Sequence, residues 1–252
     1  MRLDVYLTDK GFFKSRNKAA ETVKRGLIEV DGKVVYKPSY TVDPEKSEII
    51  IKESDSFVSN GGYKLQKAFD DFNFNAENLI CADIGASTGG FTECLLRHGA
   101  KKIYAVDVGK SQLDETLSKD ERVIVIDEFN ARDMCENTFG EKVDLVTSDV
   151  SFISLTYILR QISSVLKDNG YAIVLVKPQF ECGRKSLNKN GIVTDVKERK
   201  RAIEDVINFA GSVNLAAKNV TNAPVKPDKN VEYLLLLQKS AANEKIDLTK
   251  LP

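Results

Sequence analysis

The sequence predicts an α/β protein: a Rossmann-like, doubly wound sheet preceded by a small α+β module. Three observations predict it. A glycine-rich stretch, Asp83 to Thr92, lies between the apolar run Leu79-Ile80-Cys81-Ala82 and a helix start. Strand, glycine turn and helix start form the cradle of a nucleotide-type ligand in such folds. From Leu79 onward, short apolar runs alternate with helical patterns, as a parallel sheet requires. Before Ser54, by contrast, two short helical patterns lead into a hairpin signal.

The length of 252 residues suits one large domain, or one domain with a small module. Residues 1–53 read as the module, 54–60 as a linker, 61–240 as the α/β domain and 241–252 as a polar tail. Formal net charge is zero, yet charge is unevenly placed. Residues 10–40 hold eight Lys/Arg against three Asp/Glu, as do residues 177–201, whereas residues 120–154 hold three against nine. Two basic segments flanking an acidic centre can grip an anionic polymer; solvated helix faces are the plainer reading of the same charges. Cys81, Cys94, Cys135 and Cys182 have no C-x-x-C spacing, and with one histidine in the chain no metal cluster is expected. Met1-Arg2-Leu3-Asp4-Val5 is not a signal peptide, and no apolar run reaches the ~18–20 residues that span a bilayer. A cytoplasmic protein with no membrane partner is expected.

In the module, Leu3, Tyr6 and Leu7 have helical spacing, and Ser15 can cap a second helix, Arg16 to Lys24, that stops at Gly26. Asp31-Gly32, between Leu27–Val30 and Lys33–Val35, predicts a hairpin. Glu48 to Lys52 adds a strand. Past the linker, Leu65, Ala68, Phe69 and Phe72 predict an amphipathic helix over 63–73. Lys64 then falls in its first turn, where a cation opposes the helix dipole. Strands follow at 79–82, 102–107, 122–126, 143–149 and 171–176, with a helix at 155–166. A polar loop, a helix over 195–210 and strands at 212–221 and 231–238 complete the domain. Five strands run into Asp83, Asp107, Asp127, Asp149 and Lys177. In an open parallel sheet those ends share one crevice, so these side chains are expected to converge.

The glycine stretch limits the ligand. The dinucleotide pattern fails at Ser87, and the phosphate-binding pattern G-x-x-x-x-G-K-[ST] has Phe91 in place of its lysine. Asp83 repels phosphate as well. A nucleoside with a positive centre and no phosphate meets neither objection, and S-adenosylmethionine is such a ligand.

The module's Arg2-Leu3-Asp4, Ser15-Arg16-Asn17-Lys18-Ala19 and Gly26-Leu27-Ile28-Glu29-Val30-Asp31-Gly32-Lys33 resemble the RNA-binding module of small-subunit ribosomal protein S-four. That resemblance implies RNA phosphate contacts at Arg16, Lys18, Lys24, Arg25 and Lys33; Arg184 and Lys185, in the second basic segment, are read from its charge as further RNA contacts. The larger domain carries Val58-Ser59-Asn60-Gly61-Gly62-Tyr63-Lys64-Leu65, Asp83–Thr92, Ala105–Gly109, Ser148–Ser154 and Val176–Glu181. Together with the module, these motifs resemble the TlyA (hemolysin A) proteins within the FtsJ-type RNA 2′-O-methyltransferases. Asn60 departs from the family's usual arginine.

The resemblance implies a catalytic set of Lys64, Asp149, Lys177 and Glu232. It also implies an S-adenosylmethionine site at Asp83, Gly85, Ala86, Ser87, Thr88, Gly89, Gly90, Phe91, Asp107, Asp127 and Asp149. A ribose 2′-hydroxyl must lose a proton to attack a methyl sulfonium. With His98 placed on a helix away from the crevice, a lysine is the base, provided burial and a neighbouring cation lower its proton affinity. Lys177 is read as that base, Lys64 as its cationic partner, Asp149 as the group that holds Lys177, and Glu232 as the group that orients Lys64 or the hydroxyl. The expected substrate is cytidine in ribosomal RNA of assembled subunits, the large subunit in particular. Two rival readings are a non-catalytic RNA-binding assembly factor and a pore-forming hemolysin.

Overall fold

Two units divide the chain, Met1–Ser56 and Phe57–Pro252, in a computed structural model that describes residues 1–13, 15–24, 26–51, 57–225, 228–242 and 244–252. In the first unit α1 (Leu3–Asp9) and α2 (Arg16–Lys24) pack on a sheet of β1 (Ile28–Val30), β2 (Lys33–Val35) and β3 (Ile49–Ile51). The order is β2-β1-β3, all antiparallel. Leu3, Leu7, Ala19, Val23, Ile28 and Val30 form the core. The Ser15 hydroxyl accepts from the Lys18 N–H at 3.3 Å and caps α2, as the sequence predicts. Asp31 (φ 51°) and Gly32 (φ 74°) are both left-handed, the conformation that lets a two-residue turn match strand twist. Arg25 and residues 52–56 lie outside the described residues.

One carboxylate organises the start of this unit. Asp4 is buried, and it accepts from Arg2 Nε and Nη2 at 3.0 and 2.9 Å and from Arg16 Nε at 2.9 Å. The Arg2 bonds, then Arg16, hold its carboxyl well below the usual carboxylate range against the opposing effect of burial.

The second unit opens with α3 (Asn60–Phe72), followed by β4 (Ile80–Ile84), α4 (Gly90–Arg97) and β5 (Lys102–Val106). Next come α5 (Glu115–Ser118), β6 (Val123–Ile126), β7 (Val143–Ser148), α6 (Leu159–Val165) and β8 (Leu166–Val176). The four-residue α7 (Pro178–Glu181), α8 (Val196–Ser212), β9 (Leu215–Asn222) and β10 (Tyr233–Lys239) complete it. The seven strands lie in the order β6-β5-β4-β7-β8-β10-β9. β4 to β8 are mutually parallel, and β10 runs antiparallel to both of its neighbours. Alternate strand residues face opposite layers. Cys81, Ile103, Leu145 and Ile173 meet α3 and α4, whereas Ala82, Tyr104, Val146 and Ala172 share a core with α6 and α8. The order reverses at β4, so a crevice opens at its C-terminal end.

Several boundaries differ from the sequence reading. α3 begins at Asn60, not 63, because Ser59 caps it by accepting from the Gly61 N–H at 3.3 Å. Inside the helix a Cβ on Gly62 would stand 2.0 Å from Phe57 Cγ, and α4 comes so close that a Cβ on Gly90 would stand 2.7 Å from the Gly62 nitrogen. Lys64 therefore sits on the second turn, beyond the strongest part of the N-terminal dipole. Residues 57–60 are not linker: Phe57 is buried, and the Val58 N–H donates to Glu93 at 2.5 Å. α6 stops at Val165 and one strand runs from Leu166, because fully buried Leu166 pairs with Val143 before a register shift. The 241–252 segment is not a free polar tail. Ile246, Leu248 and Leu251 pack on the core, and the Tyr233 hydroxyl donates to the Pro252 carbonyl at 2.5 Å. Among the described residues no helix is long and apolar enough to cross a membrane.

Candidate active site

The crevice is built from the loops at the ends of β4, β5, β7 and β8. After Ile84 the chain turns at Gly85 (φ 83°), where a Cβ would stand 2.9 Å from the Asp149 carbonyl oxygen. Only glycine combines that conformation with that approach. The Asp149 N–H donates to the Ile84 carbonyl at 3.1 Å, so the glycine loop and the loop after β7 leave the sheet locked together. Asp107, just past β5, accepts from the Ser87 N–H at 2.8 Å and the Gly109 N–H at 2.7 Å. Its carboxylate shapes the loop and still has acceptor capacity, since two oxygens offer about four lone-pair positions.

Two cavities meet here. One, of about 560 Å³, is lined by Asp107, Val108, Phe129, Asn130, Ala131 and Ile153, among others. The other, of about 390 Å³, is lined by Asn60, Lys64, Thr88, Phe91 and Lys177, among others. Gly85, Ser87, Asp149 and Ser151 line both.

At the junction the four sequence-predicted catalytic side chains form one ion network. Asp149 Oδ1 lies 2.6 Å from Lys177 Nζ, and its Oδ2 lies 3.3 Å from Lys64 Nζ. Lys64 Nζ is also 2.8 Å from Glu232 Oε2. These residues come from α3, the end of β7, the end of β8 and the approach to β10. Because β10 is antiparallel, it begins on the side where its neighbours end, which brings Glu232 to the crevice. Two cations and two anions balance, as largely buried charges must. Burial alone would lower the Lys64 ammonium pKa. The Asp149 and Glu232 carboxylates outweigh that effect and hold it above the ordinary lysine value, so Lys64 stays charged at neutral pH. Lys177 is buried and also donates to the Ser151 hydroxyl at 2.7 Å.

Other expected site residues lie elsewhere. Asp83 does not reach the crevice. It is interior to β4, its side chain turned to the α4 face, where its carboxylate accepts from Thr92 Oγ1 at 2.7 Å and Thr147 Oγ1 at 3.1 Å. Complete burial raises its pKa to about 7 against the effect of those bonds. Asp127 lines neither cavity, because its carboxylate is turned to the Ser111 N–H at 2.8 Å. Phe129 to Arg132 occupy the wall assigned to it. Gly89 (φ 98°) caps α4 without lining either cavity, whereas Ala86, Thr88, Gly90 and Phe91 line the smaller one. Lys18, Lys24 and Lys33 are exposed on the first unit, and Arg184 and Lys185 on a short 3₁₀ turn after α7. Arg16 is tied to Asp4 through Nε.

The sequence alone assigns no role to Ser151, Phe129, Asn130, Gln179 or Glu181. Ser151 and Glu181 stand inside motifs that carry the family resemblance, so position within the motif is the available signal. The Phe129–Arg132 wall has none, because it lacks sequence periodicity and is placed by the turn after β6.

A seven-stranded sheet with one antiparallel strand, a glycine loop at its reversal point and a lysine–carboxylate network beside it define an α/β group-transfer enzyme. The chain belongs to the FtsJ-like methyltransferases: that family's model matches residues 57–239, and the S4 domain model matches residues 1–47. Within that family its full-length relatives are of the TlyA/hemolysin A type. It is 42% identical to "Hemolysin A" of Brachyspira hyodysenteriae over 237 residues, which is 93% of this chain and 98% of the relative. It is 37% identical to the 16S/23S rRNA (cytidine-2'-O)-methyltransferase TlyA of Mycobacterium tuberculosis, over 94% of this chain and 89% of the relative. A solved hemolysin-named structure from Streptococcus thermophilus superposes with a TM-score of 0.74 at 38% identity, covering 96% of this chain and 90% of the other.

Proposed function

We propose that the protein transfers a methyl group from S-adenosylmethionine to a ribose 2′-hydroxyl of ribosomal RNA. The target nucleoside is cytidine in the large subunit, and Lys177 takes the hydroxyl proton. The observation that carries this reading is the Lys64–Asp149–Lys177–Glu232 network where the two cavities meet. Relatives named as rRNA (cytidine-2'-O)-methyltransferases support the choice of nucleoside, and the S4 domain match supports an RNA partner.

The donor set suits S-adenosylmethionine. Apolar walls at Val108, Phe129 and Ala131 fit an adenine, the Asp107 carboxylate fits ribose hydroxyls, and no lysine stands in the glycine loop to attract a phosphate. When bound, S-adenosylmethionine supplies an electrophilic methyl on a sulfonium, whose positive charge the Asp149 carboxylate complements. Lys64, held charged between Asp149 and Glu232, places a fixed positive charge where an alkoxide develops. Asp149 and Ser151 aim Lys177 Nζ into the junction. Lys177, once it has released its ammonium proton to solvent, receives the 2′-hydroxyl proton as the oxygen bonds to the methyl carbon and the carbon–sulfur bond breaks. Positioning supplies much of the rate in such an in-line displacement.

The test uses purified protein, ribosomal subunits from cells lacking the gene, and S-adenosylmethionine with a labelled methyl. Label should enter large-subunit RNA at a ribose and be lost with Lys177→Ala. Label on a base, or none on any subunit, would overturn the reading.

A further inference from the structure

The turn that follows β8 sends each of its side chains to a different part of the site. Lys177 reaches Asp149 and Ser151, and Gln179 Nε2 donates to Glu232 Oε1 at 3.4 Å. Phe180 packs on Phe152 with ring centroids 5.2 Å apart. Glu181 reaches furthest. Its Oε2 accepts from the Ser154 hydroxyl at 2.6 Å, and its Oε1 accepts from the Leu155 N–H at 2.9 Å.

Those two donors end the loop that begins at Asp149. At its near end the loop is fixed by the Asp149 N–H on the Ile84 carbonyl. At its far end Ser154 caps a 3₁₀ turn over Leu155–Tyr157, and Glu181 holds both Ser154 and the first N–H of that turn. Between the anchors Phe152 adopts φ 63°, a left-handed conformation that a bulky side chain rarely takes. Such a conformation is strained and persists only where neighbouring contacts hold it. Glu181 is half-buried, and burial raises its carboxyl above the ordinary glutamate value. A group kept there against desolvation must be compensated by its bonds, and both go to this loop.

We propose that Glu181 is a positioning residue. Its carboxylate pins the far end of the 149–155 loop to the turn carrying Lys177, and so keeps Ser151 at bonding distance from the lysine while the Ile84 bond holds Asp149. The inference rests on the reading of Lys177 and Asp149 as catalytic. Without the pin, Phe152 relaxes toward an ordinary conformation and Ser151, the residue before it, shifts off Lys177.

The test measures methyl-transfer kinetics on ribosomal subunits for the full chain and for Lys177→Ala, Glu181→Ala, Glu181→Gln, Ser154→Ala and the double variant Glu181→Ala/Ser154→Ala. Glu181→Ala should lower kcat by about tenfold to a hundredfold, the scale set by displacing a reacting group by ~1 Å, with KM for the subunits unchanged. Glu181→Gln should restore kcat to within about threefold of the parent, since its amide oxygen accepts from Leu155 and its NH2 donates to Ser154. The double variant should be no slower than Glu181→Ala alone, as expected of partners in one interaction. Glu181→Ala at parental kcat, with Lys177→Ala inactive, overturns this inference and spares the functional reading. Glu181→Gln as slow as Glu181→Ala also overturns it. A parent that transfers no methyl overturns both. If Glu181→Ala does not fold, Ser154→Ala decides: a lowered kcat supports the pin and parental kcat refutes it.

Discussion

Replacing Gly90 by alanine tests how the cofactor loop and Lys64 are coupled. A Cβ at Gly90 would stand 2.2 Å from Ser59 Oγ, 2.7 Å from the Gly62 nitrogen and 3.0 Å from the Gly61 Cα. Ser59 can rotate away, but the other two neighbours are backbone. Ordinary contact begins at 3.4 Å, so α3 and α4 must separate by about 0.7 Å. Overpacking of this kind costs ~1–3 kcal/mol, a fall of a few degrees in Tm for a unit of this size. Lys64 rides on α3, and its 3.3 Å bond to Asp149 is already the longest in the network; the same displacement would stretch it past bonding distance. Gly90→Ala should therefore lower kcat by about tenfold to a hundredfold, with stability measured by thermal unfolding and kcat by methyl transfer to ribosomal subunits. Gly90→Ser should be worse in both assays. Parental Tm and kcat in Gly90→Ala would show that α3 is free to move without consequence, and the coupling argued from the glycine packing would be wrong.

Lys177→Ala should cut kcat by ~10²–10⁴, the usual contribution of a general base, while S-adenosylmethionine affinity by calorimetry stays within about threefold; a large fall in affinity would assign the lysine to cofactor binding. Asp83 binds a proton more tightly folded (about 7) than at its ordinary value of 3.8, so its contribution to stability is full below about pH 4 and is lost as pH rises through about 7. Thermal unfolding from pH 4 to 8 should show the parent losing ground to Asp83→Asn across that window; parallel curves would reject the raised pKa. Lys24→Glu with Lys33→Glu should weaken subunit binding and reduce the slope of log affinity against log salt by about one for each phosphate no longer neutralised. An unchanged slope would remove these lysines from the RNA interface.

Much of this architecture is legible in the sequence because local and long-range signals agree. Asp31-Gly32 predicts its hairpin since both residues tolerate the left-handed turn that the strands require. The lysine–carboxylate network is placed by motif, and its four members do come together. What the sequence hides is set by packing. Gly61 and Gly62 lie inside α3, where a Cβ on Gly62 would collide with the Phe57 ring and the start of α4 packs against the backbone of both. Asp83 reads as a strand-end ligand, yet β4 runs one residue further and turns the side chain to Thr92 and Thr147. Ile246, Leu248 and Leu251 are too sparse to announce a docked segment. Glu181 belongs to a visible motif, but its partners Ser154 and Leu155 lie 27 and 26 residues upstream, and no local pattern reports that distance.

The position of β10 has a consequence for biosynthesis. This last strand enters the interior of the sheet, and β9 has no other strand partner. Until β10 emerges from the ribosome, β9 cannot dock, the exposed edge of β8 stays unpaired, and Glu232 is absent from beside Lys64. The glycine loop and Asp107, by contrast, depend on strands made much earlier. A nascent chain can therefore assemble the glycine loop and the Asp107 turn before Glu232 takes its place beside Lys64, so the four-residue ion network is the last part of the crevice to be completed.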